Sequence, residues 1–541
     1  MKKENKIFLI ICFGLVFLIY GQSLAGDFVF DDRMLLGYKG VLSNINNLFK
    51  VVAMPYWTVD TGLYRPVVLL SYAFNFIFLG SSPFWFHLVN LILYAFVGYL
   101  MFLLIRKLFP NKRLLAYLTS IIYLVLPIHT EVVANIIGRA EILALFFSLL
   151  YFLELLKEKP SPWRAGLWLL LAIGSKEVAI ASLFLSFFVV FYKHKARFNK
   201  EILKKYYPSF LTSFASGLAY ITARFLVLGP YFLSNNATLV ENPLKFVSFQ
   251  ERIFTALKVL TIYIKKTFWP FGLCSDYSYN QIPVVKSLLN IETLLGLLIL
   301  LFFAVSFFVF LFKKPVLSLG SLFFLAPFLP VSNLVFPIGT IAGERLMFYP
   351  SFGLCLYIGW ILAWLITKAS TKRIFKTLIL VFVLGLVVFF SIRSIVRSFD
   401  WLTEERLFTS ARKCAPNSVL SRSNFATIFY FKGDYDRAEK EILAAYQIYD
   451  KYSKAMNNLA LIYWKKGEFE KAKKEYFRAI KNWPPYEGVY ENLFLFYISQ
   501  NKPERAKKWL GLYFDDPKEV NEHIKKKYPY LIPKYFKNLL P

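Results

Sequence analysis

Cysteine is scarce in this chain and nowhere arranged for chemistry. Cys12, Cys274, Cys355 and Cys414 are scattered over 541 residues, two of them in apolar segments. That pattern supports neither a zinc site nor a disulfide framework. Charged residues are also few, 18% of the chain, and acids are outnumbered, 34 Asp and Glu against 64 Lys and Arg. A net charge of +30 invites a nucleic-acid partner, but the chain has no basic DNA-reading module. Its basic residues fall in short clusters between apolar runs and in the C-terminal part, which excludes nucleic acid as the natural reading. Membrane topology and anionic lipid account for such clusters. The paired internal symmetry of an inverted-repeat transporter is absent too.

What is present is apolar. Hydrophobic residues make up 57% of the chain, with 58 Phe and 34 Tyr and a mean hydropathy of +0.48, far from a soluble globular mixture. The expected fold class is therefore all-α, beginning with a polytopic bundle of membrane helices. The first run, Ile7 to Leu24 behind Lys2, Lys3 and Lys6, has the charged and apolar regions of a signal peptide. Its length favours a retained first span entering from the cytoplasm.

Threading the rest by about 20 apolar residues per span, with Lys and Arg clusters inside, gives eleven crossings. Pro83 to Ile105 returns to Arg106, Lys107, Lys112 and Arg113; Leu114 to Pro127 goes out; Ile142 to Leu156 returns to Lys157 and Lys159. Ala165 to Val190 is broken at GSKE, Gly174 to Glu177, into two short spans, and ends at Lys193, Lys195, Arg197 and Lys200. Phe210 to Leu228 goes out, Leu294 to Phe312 returns to Lys313 and Lys314, and Val316 to Leu329 goes out. Leu346 to Ile366 comes in to Lys368, Lys372, Arg373 and Lys376, and Thr377 to Ser391 leaves, which puts the C-terminus outside.

This threading sends five polar interruptions to one outer face. They are DFVFDDRM (Asp27 to Met34), IHTEVVANIIGRAE, GSKE, the stretch from Gly229 to Asn290, and SNLVFPIGTIAGER. Between them they carry Asp31, Asp32, His129, Glu131, Arg139, Glu141, Lys176, Glu177, Glu344 and Arg345. Any one such group is explained by an interfacial salt bridge. Ionisable groups at membrane depth are costly unless paired or lining a wet cavity, so their convergence points to a site.

After Ile392 the composition turns soluble, basic and helical. FATIFYFKGDYDRAEK, NLALIYWKKGEFEKAKK and NLFLFYISQNKPERAKK align with Ala438, Ala472 and Ala506 at 34-residue spacing, and Gly433, Gly467 and Asn501 likewise. A 34-residue period with a small residue in the second helix and a turn residue after an aromatic first helix is the tetratricopeptide pattern. The expected domains are a membrane domain over 1–392 and an extracytoplasmic repeat solenoid over 393–541. A helical cap on the membrane part is the plainer alternative for the second domain.

FVFDD, YRPVVLLSYAFNF (Tyr64 to Phe76), HTEVVANIIGRAEIL, SKE, DYS (Asp276 to Ser278) and LPVSNLVFPIGTIAGERLMFYPS, followed by the repeats, resemble the transmembrane-and-tetratricopeptide-repeat family of protein O-mannosyltransferases. The likeness runs along nearly the whole chain in one order. That family is similar to the class-C glycosyltransferases, multi-span enzymes that take a sugar from a polyprenyl-phosphate carrier on the outer or lumenal face. The resemblance implies a glycosyltransferase of the same kind, with a polyprenyl-phosphate sugar as donor, mannose favoured, and as acceptor a protein or glycan held by the repeats. With only about three clear repeats here, the acceptor need not be the one that animal relatives use.

Such a transfer needs a base for the acceptor hydroxyl and a cationic pocket for the departing phosphate. The resemblance carries the base to Asp31, with Asp32 as orienting partner or alternative base. Adjacent carboxylates raise one another's pKa, which suits a base near neutral pH. Asp27 is interfacial. For the phosphate the candidates are Arg345, Arg139, Lys176 and Arg65, the guanidinium groups offering a bidentate fork that Lys lacks. His129, Glu131, Glu177 and Glu344 are candidates for positioning substrate. No cofactor is required; a divalent ion at Asp31, Asp32 and Glu131 is conceivable chemistry for an oxygen-rich set, but the expectation is none. Two rivals stand beside this reading. A transporter or flippase would put charges near mid-span, and a non-catalytic membrane scaffold recruiting partners through the repeats would lose the carboxylates. FDD, GRAE, SKE and GER are all intact.

Overall fold

The computed structural model describes residues 2–197, 199–369, 373–514 and 516–539; Lys372 of the basic cluster lies outside them. Every regular element among these residues is helical, as the composition requires. The chain divides into two compact units, Met1–Ser275 with Pro283–Ser410, and Asp276–Ile282 with Ala411–Pro541.

Among the described residues of the first unit seven helices are long and apolar enough to cross a membrane, Pro83–Leu108, Ile291–Phe310 and Ser351–Lys368 among them. An eighth crossing is available if Arg113–Val125 and Pro127–Ala134, bent by 52° at their junction, are counted as one. The sequence leads to eleven because it also counts Pro162–Ser175, Ala181–Lys193 and Pro315–Phe328, of 14, 13 and 14 residues. At 1.5 Å per residue such helices reach about 20 Å, short of a hydrocarbon core of about 30 Å. Side chains facing away from the bundle are large and apolar, as on Ile291–Phe310, where Leu298 and Phe308 are 61% and 70% exposed, a surface made for lipid.

The breaks in the helices are where charge interrupts the apolar pattern. Pro162–Ser175 stops at Lys176, whose backbone is extended (φ −159°, ψ 140°), and a short 3-10 turn over Glu177–Ile180 leads into Ala181–Lys193. GRAE opens the Arg139–Leu155 helix after a turn at Ile136–Gly138. Gly138 is needed there because a Cβ would lie 2.0 Å from the Val132 carbonyl oxygen. The unit runs on to Ser410, beyond residue 392, because the last apolar helix reaches Ser398 and the chain after it packs back onto the same unit. The Asp27 N–H donates to the Leu402 carbonyl at 2.9 Å, and Arg33 pairs with Glu404.

The second unit holds three helix pairs, Val419–Phe431 with Tyr435–Ile448, Ser453–Lys465 with Phe469–Asn482, and Glu487–Ser499 with Pro503–Phe514. The aligned turn residues share one conformation, left-handed, with φ of 78° at Gly433, 80° at Gly467 and 57° at Asn501, which glycine and asparagine tolerate best. Ala438, Ala472 and Ala506 are fully buried, so the small residue is the price of close helix packing in each pair. Residues 276–282, read from sequence as part of an outer loop, belong to this unit; the Val419 N–H donates to the Tyr279 carbonyl at 2.8 Å. Cys12 and Cys355 are buried free thiols, whereas Cys274 and Cys414 are each disulfide-bonded, which their sequence spacing did not suggest.

Candidate active site

The polar interruptions of the first unit are tied to one another directly. Asp32, on the short turn Phe30–Arg33, is fully buried and its carboxylate accepts three backbone N–H groups, Ile137 at 2.9 Å and Val29 and Ile136 at 3.4 Å each. It thereby pins the first polar stretch to the turn before GRAE. Glu141 of GRAE pairs with Lys176 of GSKE. Glu177, the next residue, pairs with Arg65 of YRP at 3.0 Å. Glu131 accepts both the Arg345 guanidinium at 2.6 Å and the Arg345 backbone N–H at 3.0 Å. The Gly343 N–H donates to Tyr263 Oη at 2.9 Å, and buried Glu344 accepts the Cys274 N–H, so the 229–275 stretch joins the same set.

Electrostatics make this one cluster. Burial alone would lower the Arg345 guanidinium, but Glu131, Asp31 and Glu141 outweigh it and hold its pKa above the ordinary value. The same balance raises Arg65, where Glu177 overrides burial. Lys176 goes the other way: burial lowers it, against the attraction of Glu141, and Arg65 and Arg345 push it further down. Burial pushes Asp32 up to about 8, opposed by its backbone N–H donors. Asp31 is only half-buried and lies within the field of Arg345. Of the two adjacent carboxylates, Asp32 is thus committed to the backbone and Asp31 is the more accessible.

Two expected site residues are committed elsewhere. Arg139 is fully buried; it donates to Asn90 Oδ1 (2.8 Å), Asn75 Oδ1 (2.5 Å) and the carbonyls of Ser71 (3.2 Å) and Phe86 (2.8 Å). Its guanidinium also lies over the Tyr72 ring, 4.8 Å from the centroid. It locks three helices together rather than offering a fork to a phosphate. His129 is fully buried between Tyr94 Oη (2.9 Å) and Ser351 Oγ (2.7 Å), which engages both ring nitrogens. Of the oxygen set weighed for a divalent ion, Asp32 accepts backbone N–H groups and Glu131 accepts from Arg345. Among the described residues the group within ligand distance is Glu487, Glu491 and His523 in the second unit, where Glu491 also pairs with Lys527.

Sequence reasoning missed Tyr56, Asn75 and Asn90. Tyr56 is buried beneath Arg65, whose guanidinium lies 5.0 Å from its ring centroid, and it feels Glu141 and Asp32. Asn75 and Asn90 were legible in principle, as buried amides in apolar helices ask for a partner.

Fold and site together define a multi-span helical membrane protein that gathers acids and cations where its helices break. No family model matches the chain. It is 29% identical over 77% of its length to protein O-mannosyl-transferase TMTC4 of Homo sapiens, 27% over 80% to TMTC3 of Homo sapiens, and 26% over 82% to protein O-mannosyl-transferase F38B6.6 of Caenorhabditis elegans. It spans 63%, 50% and 63% of those relatives' own lengths. The likeness to these transferases runs along about four fifths of the chain.

Proposed function

We propose that the chain is a glycosyltransferase that moves mannose from a polyprenyl-phosphate carrier to a Ser or Thr hydroxyl of a protein, on the outer or lumenal side of its membrane. The observation that carries this reading is the joining of all the polar interruptions around accessible Asp31, beside a cluster holding Arg345, Lys176 and Arg65. The names of the relatives support the sugar and the protein acceptor. Disulfide bonding of Cys274 and Cys414 supports an oxidising, extracytoplasmic side, since such bonds persist there.

In this reading Asp31 takes the proton from the acceptor hydroxyl as its oxygen attacks the sugar's anomeric carbon. The bond from that carbon to the phosphate oxygen breaks, and the lipid phosphate departs with the electron pair. Arg345 meets the developing phosphate charge: one of its nitrogens is held by Glu131, and its side chain is 34% exposed, which leaves the rest of the fork for a ligand. Lys176 and Arg65, each held by a carboxylate, extend the positive field. Glu131 and Glu177 position the cations, Glu344 holds the turn at Cys274, and Asp32 orients the loop that carries Asp31. None of these steps calls for a cofactor. The second unit serves as a tetratricopeptide-type solenoid that selects the acceptor, and the bilayer supplies the donor's lipid.

Purified protein supplied in parallel with polyprenyl-phosphate mannose, polyprenyl-phosphate glucose and GDP-mannose tests the donor. Transfer to a Ser/Thr-rich polypeptide is expected from the first. Transfer from GDP-mannose alone would overturn the lipid donor, and movement of intact lipid without sugar release would favour a flippase.

A further inference from the structure

The end of the first unit away from Asp31 gathers cations of its own. Asn90, which accepts from Arg139, and Lys107 lie on one helix, Pro83–Leu108. At 1.5 Å per residue Lys107 stands about 25 Å further along it, close to the hydrocarbon thickness of a bilayer. Lys107 and Lys205 both lie within the field of Lys193, opposed there by Glu158. The three lysines come from three helices, Pro83–Leu108, Ala181–Lys193 and Lys200–Leu228. Among the described residues none of the three makes an ion pair.

Positive charge that only sets topology requires no particular arrangement. Here it is arranged around one buried ring. The Tyr206 hydroxyl accepts from Lys193 Nζ at 3.0 Å and lies 3.3 Å from His194 Nε2, while Lys193 and Lys205 stand 5.7 and 5.8 Å from the ring centroid. Lys193 Nζ also donates to the Lys157 carbonyl at 2.9 Å, which leaves one of its three N–H groups for a ligand. Burial, Lys193 and Lys205 together hold His194 below the ordinary imidazole range, against Glu158. The locality carries more positive charge than its own acids answer.

Apolar surface begins beside it. On Lys200–Leu228 the side chains of Tyr207, Leu211 and Phe214, spaced i, i+4 and i+7, are each more than half exposed and lead away from Tyr206. Such a stripe on a membrane helix faces acyl chains. Cations at its end match the head and tails of one molecule.

We infer that Lys193, Lys205 and Lys107 bind the phosphate headgroup of an anionic phospholipid in the leaflet opposite the Asp31 cluster, with its acyl chains along Tyr207, Leu211 and Phe214. Tyr206 orients the Lys193 ammonium toward it. Neither sugar donor nor acceptor is involved, so this site stands or falls apart from the proposed activity.

The full-length protein in a neutral detergent is mixed with phosphatidic acid, with phosphatidylcholine of the same chains, or with inorganic phosphate, and bound molecules are counted by native mass spectrometry. Wild type is expected to retain phosphatidic acid about tenfold over phosphatidylcholine, the scale of one or two hydrogen bonds to a charged group. Lys193→Ala with Lys205→Ala should lose that preference. Lys313→Ala with Lys314→Ala removes the same charge at another helix end and should keep it. Equal retention of the two lipids by the wild type would overturn the inference, whether or not the Lys193 and Lys205 variant folds. So would an equal loss in the Lys313 and Lys314 variant, because a diffuse positive surface would then hold the lipid. Retention of inorganic phosphate as strong as that of phosphatidic acid would assign the cations to a free anion and overturn the lipid.

Discussion

Replacing Asp32 separates the scaffold of the site from its chemistry. Asp32→Ala removes the acceptor for three buried N–H groups, one at 2.9 Å and two at 3.4 Å. A buried donor left without a partner costs about 1–3 kcal/mol, and the two long bonds count at the low end. Summed, the first polar stretch should lose about 3 kcal/mol of its attachment to the turn before Arg139. Asp32→Asn keeps one acceptor oxygen and should lose about 1 kcal/mol. The pH dependence has a definite sign. The folded-state pKa is about 8, above the ordinary value near 4 in the unfolded chain. Between those values the folded protein holds a proton that the unfolded chain has released, so stability falls as pH rises through the window and levels off above it. Asp32→Asn should lack that slope. Denaturant unfolding of the purified protein across the window, followed by helical ellipticity, measures both effects. An Asp32→Ala variant as stable as the wild type would refute the scaffold role, as would wild-type stability that climbs with pH in parallel with Asp32→Asn.

The remaining predictions concern the cations and the topology. Arg345→Ala should raise the donor KM well above the wild-type value, with Arg345→Lys recovering only part of the loss because an ammonium lacks the planar fork; full rescue by Lys would remove the bidentate role. Arg139→Ala should cost several kcal/mol of stability by stranding Asn90, Asn75 and two carbonyls in the helix core, seen as loss of folded protein on extraction; a well-folded variant with only its donor affinity reduced would return Arg139 to the phosphate site. With all eleven crossings made, the three short helices included, reporters inserted at Lys195 or Lys313 should read cytoplasmic and one at the C-terminus extracytoplasmic, following the positive-inside rule. A cytoplasmic C-terminus would contradict the outer-face site.

How much was legible in the sequence differs residue by residue. The repeats were readable because a 34-residue period is written along the chain, and Gly433, Gly467 and Asn501 do share one left-handed turn. The break at Lys176 was readable because a charged pair cannot continue an apolar span. That the polar stretches meet was readable from charge and length; which acid meets which cation was not, since Glu131 with Arg345 and Arg65 with Glu177 are joined across more than a hundred residues. The roles of Arg139 and His129 were hidden for the same reason. Each looks functional in its motif, yet each is satisfied by partners on distant helices, Asn90 and Asn75 for one, Tyr94 and Ser351 for the other. The difference between Asp31 and Asp32 needed burial, which two adjacent identical residues cannot reveal. The three short helices read as spans are apolar throughout, but composition did not reveal that they end after 13 or 14 residues.

The central claim is that Asp31 is the base of a mannosyl transfer, and single-turnover transfer from polyprenyl-phosphate mannose to a Ser/Thr polypeptide by wild type and Asp31→Asn tests it most directly. Asn preserves the shape of the side chain and removes its proton acceptor, so the rate should fall by about 10²-fold or more, the scale of a general base, while donor binding and unfolding behaviour stay as in the wild type. A variant that transfers mannose at the wild-type rate would contradict the account.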